Sequence, residues 1–173
     1  MNAKAQIAGR VMKVNHAGEN GAISIYSGQI FMARLTARPL LAELIAFRAH
    51  EEEHKTIFHN ELRRRGLKRC KSYWLCAVGG YALGAATGLL GARAISLTTV
   101  AVEGVVLRHL RQQIALLTDD AEAVSAIEAI LKEEQEHHDR ASIHTQASGV
   151  LGRMLSSAVS GATESVIWLG MRL

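Results

Sequence analysis

The sequence Glu-x-x-His occurs twice, at Glu51/His54 and at Glu134/His137. In an α-helix, positions i and i+3 lie about 60° apart around the axis, so each pair projects a carboxylate and an imidazole from one face. A single such pair is ordinary on a solvated helix, and what raises these two above that is their upstream context. Glu19 stands 32 residues before Glu51, and Glu103 stands 31 before Glu134, in the small or apolar settings "HAGENGA" and "VAVEGVV". If each glutamate meets its Glu-x-x-His partner across an antiparallel hairpin, the turns must fall midway, near residue 35 and near residues 118–119. Local chemistry places turns there independently: "TARP", with the sole proline at Pro39, and "TDD". Both halves also carry Gln-Ile ten residues after the first glutamate, at Gln29-Ile30 and Gln113-Ile114. The chain reads as a duplicated helical hairpin.

Composition agrees. Aromatic residues make up 5% of the 173 positions, and β-branched residues never alternate with polar ones for long, so the expected class is all-α in a single domain, residues 1–173. Residues 1–66 form the first hairpin, with helices over 4–35 and 40–65 closed by Gly66. Residues 71–92 form an extra apolar helix between the hairpins. Residues 96–148 form the second hairpin, its helices divided at residue 117 and its last one opened by a capping box from Asp119 to Glu122. Residues 149–173, after Gly149, form a short C-terminal helix. Cys70 and Cys76 are too few for a disulfide framework and match no common zinc or redox spacing, which fits a reducing compartment. The first ten residues resemble neither a secretory signal nor an organelle transit peptide.

A formal charge of +4 does not imply nucleic acid here, because the excess is concentrated in "RRRGLKRCK", residues 63–71, without interleaved aromatics. The 21 residues that follow, 72–92, contain no charge. As a helix they would measure about 32 Å, enough to span, lie on or dip into a bilayer. Gly80, Gly84 and Gly88 line one face at four-residue intervals and admit a close neighbour, so a buried bundle helix is the competing reading. Six basic residues beside Tyr73 and Trp74 favour an anionic lipid surface, and membrane association is expected.

Four glutamates and two histidines brought together in a bundle need cations, and Glu103 in its apolar segment needs one most. One glutamate from each of two helices plus Glu-x-x-His from each of two others is the ligand set of di-iron and di-manganese carboxylate bundles. Two divalent ions carry the charge that four carboxylates neutralise. Around these six, Glu133, Gln135, Glu136, His138 and Asp139 point elsewhere as solvated groups or supports. Tyr26, two turns after Glu19, shares its face and can donate a hydrogen bond or relay electrons, though packing is the commoner role. His109 can hydrogen-bond near the site. His16 is expected behind Glu19 or at the surface, and His50, His59 and His144 on solvated faces.

The segments "VNHAGENGAISIYSGQ", "EEEH", "YALGAATGLLGA", "VAVEGVV", "EEQEHHD" and "IWLGMRL" together resemble the demethoxyubiquinone hydroxylase family across nearly the whole chain. The resemblance implies a ferritin-like di-iron bundle attached to the cytoplasmic side of an inner membrane, or the matrix side if a mitochondrial presequence has been removed. It places iron ligands on Glu19, Glu51, His54, Glu103, Glu134 and His137. It further implies O₂-dependent hydroxylation of a polyprenylated methoxy-quinol in ubiquinone biosynthesis, with electrons from NADH or from the quinol. Membrane lipids, a second copy or a lipid-presenting protein are the expected partners, and nucleic acid is not. Gly104 stands where many relatives carry a second acid, and Leu110 where some carry tyrosine; neither is a ligand position. No Gly-x-Gly-x-x-Gly fingerprint suggests a dinucleotide fold. Two other readings compete: a soluble ferritin-like iron-oxidising or storage protein or dimanganese peroxide-decomposing protein, and a quinone-binding protein with a structural metal.

Overall fold

The computed structural model describes residues 3–145 and 149–173. Six α-helices occur among them: α1 (Ala3–Thr36), α2 (Leu41–Arg64), α3 (Tyr73–Leu89), α4 (Ala92–Leu116), α5 (Ala121–Ile143) and α6 (Val150–Gly170). The all-α expectation holds. α1 and α2 form the first hairpin through Ala37 and a single 3₁₀ turn, Arg38–Leu40, in which Pro39 cannot continue the preceding helix. α4 and α5 form the second through residues 117–120.

Several boundaries differ from the sequence reading. α4 begins at Ala92, four residues earlier than expected, because Gly91 adopts φ 92° and turns the chain from α3 directly into α4. The cap of α5 is Asp120, whose side chain accepts from the Ala123 amide, so the capping register lies one residue beyond the Asp119–Glu122 box. Asp119 pairs with Lys4 instead, and Asp120 also receives both Arg65 Nη atoms at 2.7 Å, tying the end of α2 to the start of α5. α5 ends at Ile143, and the expected extension to residue 148 runs into positions outside the described residues. The C-terminal helix is not short: α6 has 21 residues. Its serines and glycines weaken intrinsic propensity, and packing of Val159 and Leu155 against Ala101 and Val102 of α4 supplies the compensating burial.

Two apolar layers fill the four-helix core. One gathers Met12, Phe58, Leu62, Leu110, Ile127 and Ile130; the other gathers Tyr26, Ile30, Leu44, Phe47 and Ile95. Glu19, Glu51 with His54, and Glu103 fall between these layers along their helices, and Glu134 with His137 follow Ile130 by one to two turns.

α3 lies along α1 at very short range. A Cβ at Gly84 would stand 2.0 Å from the Ile25 carbonyl oxygen, and one at Gly28 would stand 2.5 Å from the Tyr81 carbonyl oxygen. Both helices therefore contribute glycine to the contact, and the expected close neighbour of the glycine face is α1. The opposite face of α3 remains exposed at Trp74, Leu75, Val78 and Tyr81. No helix among the described residues is long and apolar enough to cross a membrane. The spanning option therefore falls, since regular helix at residues 73–89 measures only about 25 Å.

Candidate metal centre

The hairpins bring the six acidic and imidazole side chains selected by spacing to one buried place. Glu51, His54, Glu103, Glu134 and His137 are each no more than 2% exposed and Glu19 is 5% exposed. Glu19, Glu51, His54 and Glu134 offer ligand atoms within 4.8 Å of one another, and Glu51, Glu103, Glu134 and His137 form a second group under the same limit. Glu51 and Glu134 belong to both. The two Glu-x-x-His helices thus supply the shared carboxylates, while α1 and α4 each contribute one glutamate to one group.

The histidines meet the carboxylates through Nδ1. His54 Nδ1 lies 3.0 Å from Glu134 and 3.7 Å from Glu51, and His137 Nδ1 lies 3.2 Å from Glu51 and 4.0 Å from Glu134. Each imidazole therefore faces its own glutamate and that of the other motif. Glu51 Oε1, both Glu134 oxygens and the two Nδ1 atoms are buried without a hydrogen-bond partner. A buried polar atom left unsatisfied costs about 1–3 kcal/mol. Five such atoms directed at one another are a donor set that fits divalent cations rather than a packed core.

Outward-facing partners fix the rings. His54 Nε2 is 2.8 Å from Glu133, and His137 Nε2 is 3.0 Å from His50 Nδ1, with the two latter rings stacked at 7°. A proton held at Nε2 leaves the Nδ1 lone pair free for a cation. His50 is thus no solvated residue, contrary to the sequence reading; it lies one turn before His54 on the same face, a spacing that had announced it. Glu133→Gln is expected to weaken metal binding about 10- to 100-fold by withdrawing the anion behind His54. Competition with a chromophoric chelator measures this, and unchanged affinity would show that Glu133 does not orient the ring.

Charge crowding shifts the protonation of these groups. Burial, followed by the Glu51 and Glu134 charges, pushes Glu19 well above the usual carboxylate range; burial, then Glu134 and Glu51, does the same to Glu103. For Glu51, burial acts upward, but contacts from His137 and His54 outweigh it and bring the group down to about 2. His54 is pushed up to about 12, since Glu134 and Glu51 overcome the downward effect of burial. Protons on Glu19, Glu103 and His54 relieve the repulsion, and divalent cations do the same, so cation loading releases protons.

Tyr26 donates its hydroxyl to Glu103 Oε1 at 3.0 Å and packs edge-on against Phe47, so it combines the hydrogen-bonding and packing roles. Burial, then the Glu103 charge, raises its hydroxyl well above the usual phenol range and keeps its proton in place. His16 is neither a ligand nor a surface residue: it is buried and stacked on Tyr73.

The four glutamates, but neither His54 nor His137, also line a cavity of about 290 Å³ bounded by α1, α3, α4 and α6. Its wall is mostly apolar, with Ile25, Leu75, Leu83, Val102, Val106 and Ile167. Two polar features interrupt it. His109 Nε2 lies 2.7 Å from Glu164 on α6, and Asn15 and Gln113 exchange two amide hydrogen bonds of 2.8 and 3.0 Å. Sequence reasoning had placed His109 near the site but missed Glu164 and Asn15, and read Gln113 only as a mark of the repeat. Glu164 is the single acidic residue of α6 and was visible on that ground; the amide pair left no local signal, because its members are 98 positions apart.

Residues 6–170 match the family described as "Ubiquinone biosynthesis protein COQ7". The chain belongs to this family. It is 31% identical over 175 residues to the NADPH-dependent 3-demethoxyubiquinone 3-hydroxylase, mitochondrial, of Dictyostelium discoideum, covering 98% of this chain and 79% of that protein. To the 3-demethoxyubiquinol 3-hydroxylase of Rhodospirillum rubrum it is 32% identical over 171 residues, covering 98% and 80%. The Homo sapiens protein, named as the Dictyostelium one is, shares 31% over 170 residues, covering 95% and 77%.

Proposed function

We propose that this chain is a membrane-associated di-iron monooxygenase that hydroxylates the ring of a polyprenylated demethoxyubiquinol with O₂ in ubiquinone biosynthesis. The observation that carries the reading is the pairing of two four-residue ligand groups, sharing Glu51 and Glu134, with an apolar cavity that reaches their carboxylate side. Glu19, Glu51, His54 and Glu134 would hold one iron, and Glu51, Glu103, Glu134 and His137 the other. Two ferrous ions held there would together supply the two electrons that activation of O₂ requires. The chain's own contribution is placement and exclusion of water. Tyr26 holds Glu103 in position, Glu133 and His50 orient the two imidazoles, and the apolar wall accepts an aromatic ring while keeping out bulk solvent. The His109–Glu164 pair sets a hydrogen-bonded imidazole at the cavity edge, where it can accept or return a ring-hydroxyl proton at a nitrogen.

The exposed faces of α3 and α6, with Trp74, Val78, Leu151 and Trp168, are suited to an interfacial position on the cytoplasmic or matrix side of an inner membrane. Electrons come from outside the bundle, either from NADPH, named for the Dictyostelium and human relatives, from NADH, or from the quinol itself. An apolar entrance fits a lipid-borne ring better than the hydrated ions that an iron-storage protein must admit.

Isotope labelling tests the reaction. Iron-loaded protein given a demethoxyubiquinol analogue, reductant and ¹⁸O₂ is expected to yield hydroxylated quinone bearing one labelled oxygen, read by mass spectrometry. Glu103→Gln, which keeps the side chain's shape but removes its charge, is expected to lower turnover about a hundredfold or more with helix content unchanged. Label found only in water or peroxide would overturn the hydroxylase reading in favour of an oxidase.

A further inference from the structure

A second cleft, of about 830 Å³, lies between α1, α2 and the loop leading into α3. Lys55, Arg63, Lys68, Arg69 and Lys71 line it, and no acidic residue does. The adjacent arginines show how unusual this is: Arg64 is neutralised by Glu61 at 2.9 Å and Arg65 by Asp120 at 2.7 Å, whereas no ion pair holds the five cleft cations among the described residues. Unpaired cations gathered in a concave site raise the local concentration of anions.

The floor of the cleft adds specificity. His16 is 5% exposed, and its Nδ1 is buried without a hydrogen-bond partner. Its ring stacks on Tyr73 at 5.2 Å and lies 5.5 Å from His59. Burial, then neighbouring His59, Lys55 and Arg69, brings His16 down to about 4, so at neutral pH the ring is uncharged and free to present a donor. Above it, the Arg69 guanidinium covers the faces of Tyr73 at 4.8 Å and Trp74 at 5.1 Å. The surroundings thus join a fork of charged donors, a buried neutral donor and an aromatic wall. Phosphate is the anion that uses several charge-assisted donors at once. The volume exceeds what bare phosphate needs, and the aromatic wall offers contact to whatever the phosphate is esterified to.

We propose that this cleft binds a phosphate ester, with Lys55, Lys68 and Arg69 meeting the phosphate and Tyr73 and Trp74 the organic group it carries. Two sources share that chemistry. One is a soluble nucleotide such as NADPH. The other is the headgroup of an anionic phospholipid, since the exposed side chains of Trp74, Leu75 and Val78 continue from the rim of the cleft along α3. The site requires neither iron nor catalysis, so its test stands apart from that of the hydroxylase reading.

The experiment uses the full chain and two exposed arginines from the same basic run. Binding of NADPH is measured by calorimetry with and without inorganic phosphate as competitor, and binding to phosphatidylcholine vesicles by flotation with and without phosphatidylglycerol. Arg69→Gln is expected to reduce affinity for the ligand that binds about tenfold, and Arg64→Gln by less than about twofold, although both remove one charge. Saturable NADPH binding displaced by phosphate identifies a nucleotide; phosphatidylglycerol-dependent flotation indifferent to NADPH identifies a headgroup. Equal losses in the two variants would reduce the effect to diffuse attraction and overturn the proposal, as would failure of both probes to bind. Circular dichroism of both variants confirms that the helices are intact.

Discussion

The Glu134→Ala chain, purified from iron-supplemented cells, is expected to carry almost no iron, and the parent two ions per chain. The reason lies in how the two ligand groups overlap. Glu134 and Glu51 belong to both, so removing either takes a carboxylate from each ion and the charge that holds the pair together. Glu19 and Glu103 each belong to one group, and Glu19→Ala is expected to cost about one ion rather than two. Glu136, exposed on the same helix as Glu134, is expected to be replaceable by alanine with no change in metal content. Metal analysis by mass spectrometry on desalted protein decides among these. Circular dichroism on the Glu134→Ala chain, checked against the parent, shows whether the helices remain folded and keeps the measurement interpretable. Two ions retained in Glu134→Ala or Glu51→Ala would refute the shared-ligand arrangement.

The largest loss of stability is expected from a single methyl group at the α1–α3 contact. At Gly84 the added carbon would stand 2.0 Å from a backbone carbonyl oxygen, which cannot rotate aside as a side chain can. Gly84→Ala must therefore separate the two helices, at a cost of about 3 kcal/mol or more. Gly79 on the same helix has nothing within 4 Å of the equivalent carbon, so Gly79→Ala is expected to gain up to about 1 kcal/mol from helix propensity. Denaturant unfolding followed by circular dichroism compares the two. Equal midpoints would mean that α3 can withdraw from α1 without penalty.

Much of the centre was legible because a metal site with long-range ligands still obeys helical arithmetic. Glu19 and Glu51 had to sit at equal heights about a turn near residue 35, and α1 ends at Thr36. The same reasoning placed Glu103 and Glu134. What spacing left open was everything decided by contacts between elements. His50 follows the ligand face of α2, yet only the approach of α5 shows that it meets His137 rather than solvent. His16 precedes Glu19 by three residues, yet it stacks on Tyr73, the first residue of α3, which is delivered by a loop whose path no local pattern dictates. The length of α6 was obscured by its glycines and serines, and burial against α4 settled it. The duplicated Gln-Ile pairs show the same limit: Gln113 joins Asn15 at the cavity, while its counterpart Gln29 turns to Thr87 of α3 at 3.4 Å. Identical residues at equivalent positions took different roles because α3 packs against only one of the two hairpins' first helices so closely.

The cavity meets the centre through Glu19, Glu51, Glu103 and Glu134, a set that comes in two pairs, one from each repeat. Viewed from there the centre has approximate twofold symmetry, and it cannot by itself tell the left edge of an incoming ring from the right. Regioselectivity in this chain must then be written into the lopsided walls: α3 with Leu75 and Leu83 on one side, His109 with its contact to Glu164 of α6 on another, and the Asn15–Gln113 pair, which Gln113 forms and its counterpart Gln29 does not. The reactive centre supplies oxidising power without handedness, and the choice of ring carbon is a property of the passage leading to it.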